Sequence, residues 1–406
     1  MLSHHTFGRR ASFWTAAAVV AHTLWTSAAP AMTYPLYASE WGLTPLATTT
    51  IFAVYPIAVV LILVCFGDIS DYIGRRRTML YGLAASLIGV LLFAVARDLA
   101  WVLVGRVFMG IGVGLSAGPS AAALVEFSKP GDEQKASAIT TLSQVSGLIC
   151  AALIGGFLIQ YAPLPTRLNF VVLLVVLAAV FAATWFLPRH TSAEAPGRWR
   201  MKPIVIPREL RKIFAASTVA VTASYAMGTI NLSLGAQIAH DVIGSQNVLV
   251  NGATIALFAL AGGIVAIPGR KLRSGTAILI GGTSSVLSVG LLVFAAGQHS
   301  LGLFTMSLVL GGIAYSLLFA GGLGLLNSNA PAHHRGGTLS ALFLVAYLGQ
   351  GIAALLLGEI ATVDGLKFAV DVASAMVAGL SFCAMLLSVL YAFAKPASPN
   401  VIGNRP

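Results

Sequence analysis

Apolar residues run along this chain in twelve stretches separated by short polar breaks. A helix needs about 20 mostly apolar residues to cross the hydrocarbon core of a bilayer, and each stretch is that long. Backbone N–H and C=O groups have no water to bond to in lipid, so such stretches are predicted as α-helices. The spans are expected at about 12–36, 47–67, 78–96, 99–123, 136–160 and 167–187, and then at 212–236, 248–268, 276–297, 301–326, 337–360 and 367–394. The first begins after Arg9 and Arg10 and runs into SAAPA, the form of a secretory signal. It continues through MTYPLY without a break, which favours a spanning helix.

The longest polar break, 188–211, divides the spans six and six. The expected organisation is a short N-terminus (1–11), a six-helix bundle (12–187), a linker (188–211), a second bundle (212–394) and a tail (395–406). The halves echo each other. GRVFMGIGVGLSAGPSAAALVEFSKP at 105–130 aligns with MSLVLGGIAYSLLFAGGLGLLNSNAP at 306–331, and GLICAALIGG at 147–156 with GQGIAALLLG at 349–358. The predicted fold class is therefore an all-α membrane protein of twelve transmembrane helices in two pseudo-symmetric six-helix bundles. Tandem halves of this kind suggest a transporter with a site between them.

Composition sharpens this picture. The chain is 57% hydrophobic and only 9% charged, against about 25% charged residues in a soluble globule. A net charge of +11 raises the possibility of nucleic acid, but the basic residues sit in the breaks. With the N-terminus placed in the cytoplasm, twenty of the 24 Lys and Arg residues fall on that side. Arg97, Arg167 and Lys367 fall outside, and Arg106 lies within a span. Positive residues favour the cytoplasmic side, so both termini are expected there, in a multi-pass protein of the inner (plasma) membrane, with no nucleic-acid partner. Cys65, Cys150 and Cys383 lie within apolar runs and have no disulfide or metal spacing. No cofactor, metal or nucleophile–base constellation is implied, and an enzyme is not expected.

Between spans 2 and 3 lies GDISDYIGRRRTML at 67–80, five charges in one turn. Topology accounts for Arg75, Arg76 and Arg77, but not for Asp71, Gly67 or Gly74. Gly74 permits positive φ, and Gly67 permits close helix contact. Asp71 can pair with an arginine or with the positive end of a helix, and Glu126 at the end of span 4 can receive Arg75 or Arg76. The stretch resembles the signature loop G-x-x-x-D-R/K-x-G-R-R of the major facilitator superfamily, with Tyr72 in place of the usual cation. The resemblance implies the major facilitator fold, alternating access between two bundles, and a turn that latches the cytoplasmic side against the start of span 11, near 336–340.

In span 4, Arg106 is followed by Gly110, Gly114 and Gly118 at intervals of four, on one helix face. Glycines allow close packing, and an arginine at membrane depth usually faces a cavity or a partner. R-x-x-M-G-I-G resembles the family's span-4 motif, in which the arginine is linked with substrate or proton coupling. Its repeat equivalent is Ser307, so the charge is not duplicated. In span 5, Gly147, Gly155 and Gly156 match a degenerate antiporter motif, with Ala151 and Ala152 replacing its Gly-Pro, so they are expected to pack closely without the kink.

No Asp or Glu lies deep in a span. His22 is the deepest titratable residue. It is either a proton-exchanging group or a histidine bonded to a neighbouring helix. Glu40 and Asp371 near the outer side are candidate proton or gate residues, or plain interfacial charges. Prolines 30 and 35 are expected to kink span 1. By family analogy Trp25, Tyr34, Tyr225, Asn231 and Tyr315 line the cavity. The resemblance implies a monomeric secondary active transporter, most like the drug/proton antiporter branch, exporting small organic molecules against proton entry. Import or facilitated passage of a small organic anion or metabolite is the alternative, and a non-transporting membrane sensor a weaker one.

Overall fold

The structure is a computed structural model that describes residues 6–129, 132–188, 199, 206–329 and 332–394. Most of the expected linker and the whole C-terminal tail lie outside the described residues. Helices account for nearly all the rest: α1 (Arg9–Ala28), α2 (Pro45–Phe66), α3 (Arg75–Ala94), α4 (Leu99–Phe127), α5 (Glu133–Tyr161), α6 (Leu168–Trp185), α7 (Arg211–Thr229), α8 (Val248–Gly269), α9 (Ser274–Gln298), α10 (Leu301–Asn329), α11 (Ala332–Val363) and α12 (Leu366–Ala394). Eleven helices among the described residues are long and apolar enough to cross a membrane. The remaining one is α1, which is richer in Thr, Ser and His and continues through a 3-10 turn (Ala29–Thr33) and a further helix (Tyr34–Trp41).

Local chemistry sets the helix ends. Thr44 caps α2 by accepting from the Ala47 amide, with Pro45 in the first turn. Asp98 caps α4 by accepting from the amides of Ala100 and Trp101. Asn247 caps α8 by accepting from Val250. Each side chain satisfies amides that have no partner in the first helical turn. Gly74 separates the short helix Ser70–Ile73 from α3 with φ of 91°, a region that a side chain rarely enters.

Close packing holds each bundle. A Cβ on Gly112 of α4 would stand 2.1 Å from the Ser86 hydroxyl of α3, and one on Gly89 of α3 would stand 2.7 Å from the Gly105 carbonyl of α4. The bundles meet along α5 with α8 and along α2 with α11. Two faces of the molecule can be named by their residues, the Gly74 face and the Glu40 face. At the Glu40 face the Leu46 amide donates to Thr362 Oγ1 (2.9 Å), the Val248 amide to Gln160 Oε1 (2.8 Å), and Gln237 Nε2 to Thr48 Oγ1 (3.3 Å). At the Gly74 face Arg270 donates to the Ser137 carbonyl and Thr141 Oγ1, at 2.8 and 2.7 Å.

Candidate functional site

The halves differ at their centres. In the N-terminal bundle Arg106 is fully buried. Its Nε donates to the Ile51 carbonyl of α2 at 3.1 Å and its Nη1 to the Ser27 carbonyl of α1 at 2.9 Å. Its Nη2 donates to the Tyr34 hydroxyl at 3.0 Å. The guanidinium also lies 4.8 Å over the Tyr55 ring. Tyr34 reaches it from the first turn of the helix that follows the 3-10 segment at Pro30. No carboxylate is among these partners. Carbonyl dipoles, a phenol and a ring face offset a desolvation cost of several kcal/mol. A guanidinium has five N–H donors, and these bonds engage three.

Beyond Tyr55 the C-terminal bundle presents aromatic rings. Tyr225 of α7 stacks 6.4 Å from Tyr315 of α10 and meets Tyr347 of α11 edge-on at 4.9 Å. Phe319 lies 6.0 Å from Tyr225. Ser224 Oγ donates to the Tyr315 carbonyl at 2.8 Å, tying α7 to α10. Further along, α7 widens into two π-helical turns, Ile230–Leu234 and Ile238–Val242. Such turns recur at functional sites.

Tyr34, Tyr225 and Asn231 are buried, and Trp25 and Tyr315 half-buried. The cavities of about 200, 500 and 490 Å3 at the Glu40 face, in the α1–α6 groove and at the Gly74 face have none of the five among their lining residues. Tyr34 is spent on Arg106. Asn231 turns back along its own helix to the Met227 carbonyl, at 3.0 Å. Trp25 Nε1 is buried with no hydrogen-bond partner among the described residues, as are Gln237 Oε1 and Asn251 Oδ1.

His22 is buried with both ring nitrogens engaged. Nδ1 meets the Val19 carbonyl of its own helix, and Nε2 meets Ser86 Oγ of α3 at 3.4 Å. Glu40 lines the 200 Å3 cavity together with Arg97 and Arg167. Asp371 is half-buried near the start of α12, in the other half. Neither carboxylate is brought to the buried arginine. Among the described residues no cluster of His, Cys, Asp or Glu could hold a metal ion.

At the Gly74 turn Arg75 is the hub. It donates to Ser70 Oγ and to Asp71, and its Nε donates to Glu126 Oε1 at 3.3 Å, joining the turn to the end of α4. Arg76 lies 5.6 Å from the Trp185 ring centre. Residues 330 and 331 and the side chains of 332–336 lie outside what is described, so any pairing of Asp71 with that part of α11 does too. The sequence pattern did not signal Trp199. Its Nε1 donates to Asp68 Oδ1 at 2.8 Å, and its ring stacks 5.3 Å from Phe66.

The glycines divide. Added Cβ atoms would collide at Gly110 with Ala58 (2.6 Å), at Gly114 with Ile62 (2.8 Å) and at Gly147 with the Ala21 carbonyl (2.0 Å). At Gly156 a Cβ would press on the Val248 carbonyl of α8, at 3.0 Å. Gly155 has only ordinary contact, 3.4 Å from Asn169. Gly118 faces open space, with nothing within 4 Å of an added Cβ. A Cβ on Gly67 would collide with the Leu63 backbone carbonyl one turn earlier and would meet no neighbouring helix. Packing therefore does not explain Gly118, and at Gly67 the obstacle is its own chain and not a neighbouring helix.

The family pattern described as Major Facilitator Superfamily matches residues 14–354. No curated protein matches the sequence. Among solved structures, the chain is similar to a bacterial homolog of the human lysosomal transporter Spinster, in its inward-facing, unoccupied conformation. That match has a TM-score of 0.72 and 14% identity, covering 96% of this chain and 99% of that one. It is similar to the nucleoside transporter NupG, with a TM-score of 0.76, 11% identity and coverage of 94% and 100%. It is also similar to the POT family transporter PepTSo, with a TM-score of 0.74, 14% identity and coverage of 95% and 98%. At these identities the likeness is one of fold.

Proposed function

From the premise that the chain belongs to the major facilitator superfamily, and is thus a multi-pass membrane transporter and not an enzyme, we propose that it moves a small organic molecule between its two bundles. Arg106 would meet the polar end of the substrate, and Tyr55, Tyr225, Tyr315 and Tyr347 its apolar body. The observation that carries this reading is a fully buried arginine whose bonds all go to carbonyls and a phenol. With no carboxylate to neutralise it, it remains attractive to an acceptor or anionic group. The rings opposite suit a moderately apolar ligand.

In this proposal the Gly74 face is cytoplasmic, in the inner membrane, and the protein works as a monomer. Export is driven by proton entry, and one charge crossing 100 mV supplies about 2.3 kcal/mol. His22, buried on α1, is the candidate carrier, and its ring would exchange a proton by leaving the Ser86 hydroxyl. Arg75 ties the turn to Glu126 of α4 within its own bundle, and Asp71 set against the start of span 11 would hold the cytoplasmic side closed in one state, so Asp71→Asn should shift accessibility labelling of that side. Unchanged labelling would remove the latch.

The second reading is uptake or facilitated passage of a small organic anion, favoured by the missing carboxylate beside Arg106. Proteoliposomes with an imposed pH gradient separate the two. Opposed proton and substrate fluxes are expected for export. Movement of both in one direction, or flux indifferent to the gradient, would replace antiport with the second reading.

A further inference from the structure

A different corner of the molecule has the chemistry of a binding site. At the Gly74 face a cavity of about 490 Å3 is bounded by Arg9, Arg10, Lys129 and Lys135, with Asp132, Phe13 and Trp14. Four cations against one carboxylate leave three positive charges in excess. Arg9 is already committed to the Phe127 and Ser128 carbonyls at the end of α4. Arg10, Lys129 and Lys135 are exposed. The start of α1 lies beside them, and Gly8 offers no side-chain cap to its first amides, which adds positive potential.

A second cavity, of about 500 Å3, shares Trp14 with the first. It is an apolar groove between Thr15 and Ala18 of α1 and Val175, Ala179 and Ala183 of α6. From Val175 to Ala183 the groove follows about 12 Å of helix at 1.5 Å per residue. One leaflet's hydrocarbon is about 15 Å deep, half of the bilayer core. Trp14, 55% exposed, lines both the cationic cavity and the groove, and amphipathic rings of this kind favour the membrane–water boundary.

A cationic pocket that opens into an apolar groove of leaflet depth complements one kind of molecule. We propose that this corner binds one anionic phospholipid of the surrounding bilayer, its phosphate among Arg10, Lys129 and Lys135 and one acyl chain in the α1–α6 groove. Each lysine or arginine near the membrane surface attracts anionic lipid. The groove adds apolar contact that a free anion cannot use. The site involves none of the residues assigned to transport.

Native mass spectrometry of the full chain in detergent tests this, with phosphatidylglycerol and phosphatidylcholine of identical acyl chains as probes. The expected result is at least fivefold greater retention of phosphatidylglycerol. The triple variant R10Q/K129Q/K135Q should abolish that preference while its elution and thermal midpoint stay unchanged. Ala179→Phe, which fills the groove and leaves every charge in place, should lower phosphatidylglycerol retention severalfold. Should the triple variant not fold, Arg10→Gln and Lys135→Gln singly should each reduce the preference. Equal retention of the two lipids, or an unchanged preference in the charge variants, would overturn the proposal. So would displacement of the lipid by equimolar glycerophosphate, which would mean a site for free anions alone.

Discussion

Arg106 in α4 and Ser307 in α10 occupy equivalent positions of the two halves, and the molecule treats them in opposite ways. Ser307 is satisfied within its own bundle. Its hydroxyl donates to the Phe304 carbonyl at 2.8 Å, and its carbonyl accepts from Ser288 at 2.7 Å. Arg106 draws on α1, its continuation and α2. Only one half, then, holds a charge at depth, and the other faces it with tyrosines and a phenylalanine. The packing scaffold is shared, since glycines seam α3 to α4 and α9 to α10 alike. The two repeats therefore share their architecture and divide their chemistry.

The largest effect should come from making the halves alike. Ser307→Arg would bury a charge where no carbonyls have turned to receive it. An uncompensated buried charge costs about 3–5 kcal/mol, and thermal unfolding in detergent should show a collapse of the folded fraction. If the variant is as stable as the parent, the C-terminal half can also house a cation and the contrast is superficial.

Removing the charge from the half that has it comes next. Arg106→Ala should lower transport in proteoliposomes about a hundredfold, the worth of about two charge-assisted hydrogen bonds, with protein levels retained. Arg106→Lys keeps the charge without the planar fork and should fall between. Ser307→Ala should change transport less than about twofold, as expected of a locally satisfied hydroxyl. Normal transport by Arg106→Ala would end the proposed role.

A smaller effect tests the contacts. Tyr34→Phe removes one of the three hydrogen bonds to Arg106 and should slow transport about tenfold or somewhat more, since a bond to a charged group is worth about 1.5 kcal/mol or somewhat more. Smallest of all, Gly118→Ala should leave the thermal midpoint unchanged or slightly raised, because alanine is the better helix former by about 1 kcal/mol and open space receives its methyl. Gly114→Ala should lower the midpoint, because Ile62 stands in the way. Equal behaviour of the two would mean that the α2–α4 seam is looser than its geometry.

Much of this was legible in the chain. Helices end within a few residues of where the apolar runs end, because lipid leaves the backbone no other way to pair. Gly74 showed its turn because few side chains tolerate a φ of 91°. Arg106 stood out as the lone cation at depth. Its acceptors did not, because the carbonyls of Ser27 and Ile51 carry no side-chain signature and any residue could supply them. Gly118 shares a face with Gly114, yet periodicity says which way a glycine points and not whether another residue stands opposite it. Trp199 was hidden in a polar linker whose composition suggested only topology.

By itself, then, the sequence determined the membrane-spanning helices, the division into two halves, the Gly74 turn and the presence of one deep charge. These follow from local terms, namely hydrophobic length, backbone pairing and the steric freedom of glycine. Only the tertiary structure decided that the charge is held by carbonyls and Tyr34 instead of a carboxylate. It alone showed that His22 is bonded into the α1–α3 contact, and that a cationic cavity at the Gly74 face shares Trp14 with an apolar groove between α1 and α6. Those facts depend on which helices lie side by side and at what height, and pairwise packing across hundreds of residues leaves no periodic trace in the chain.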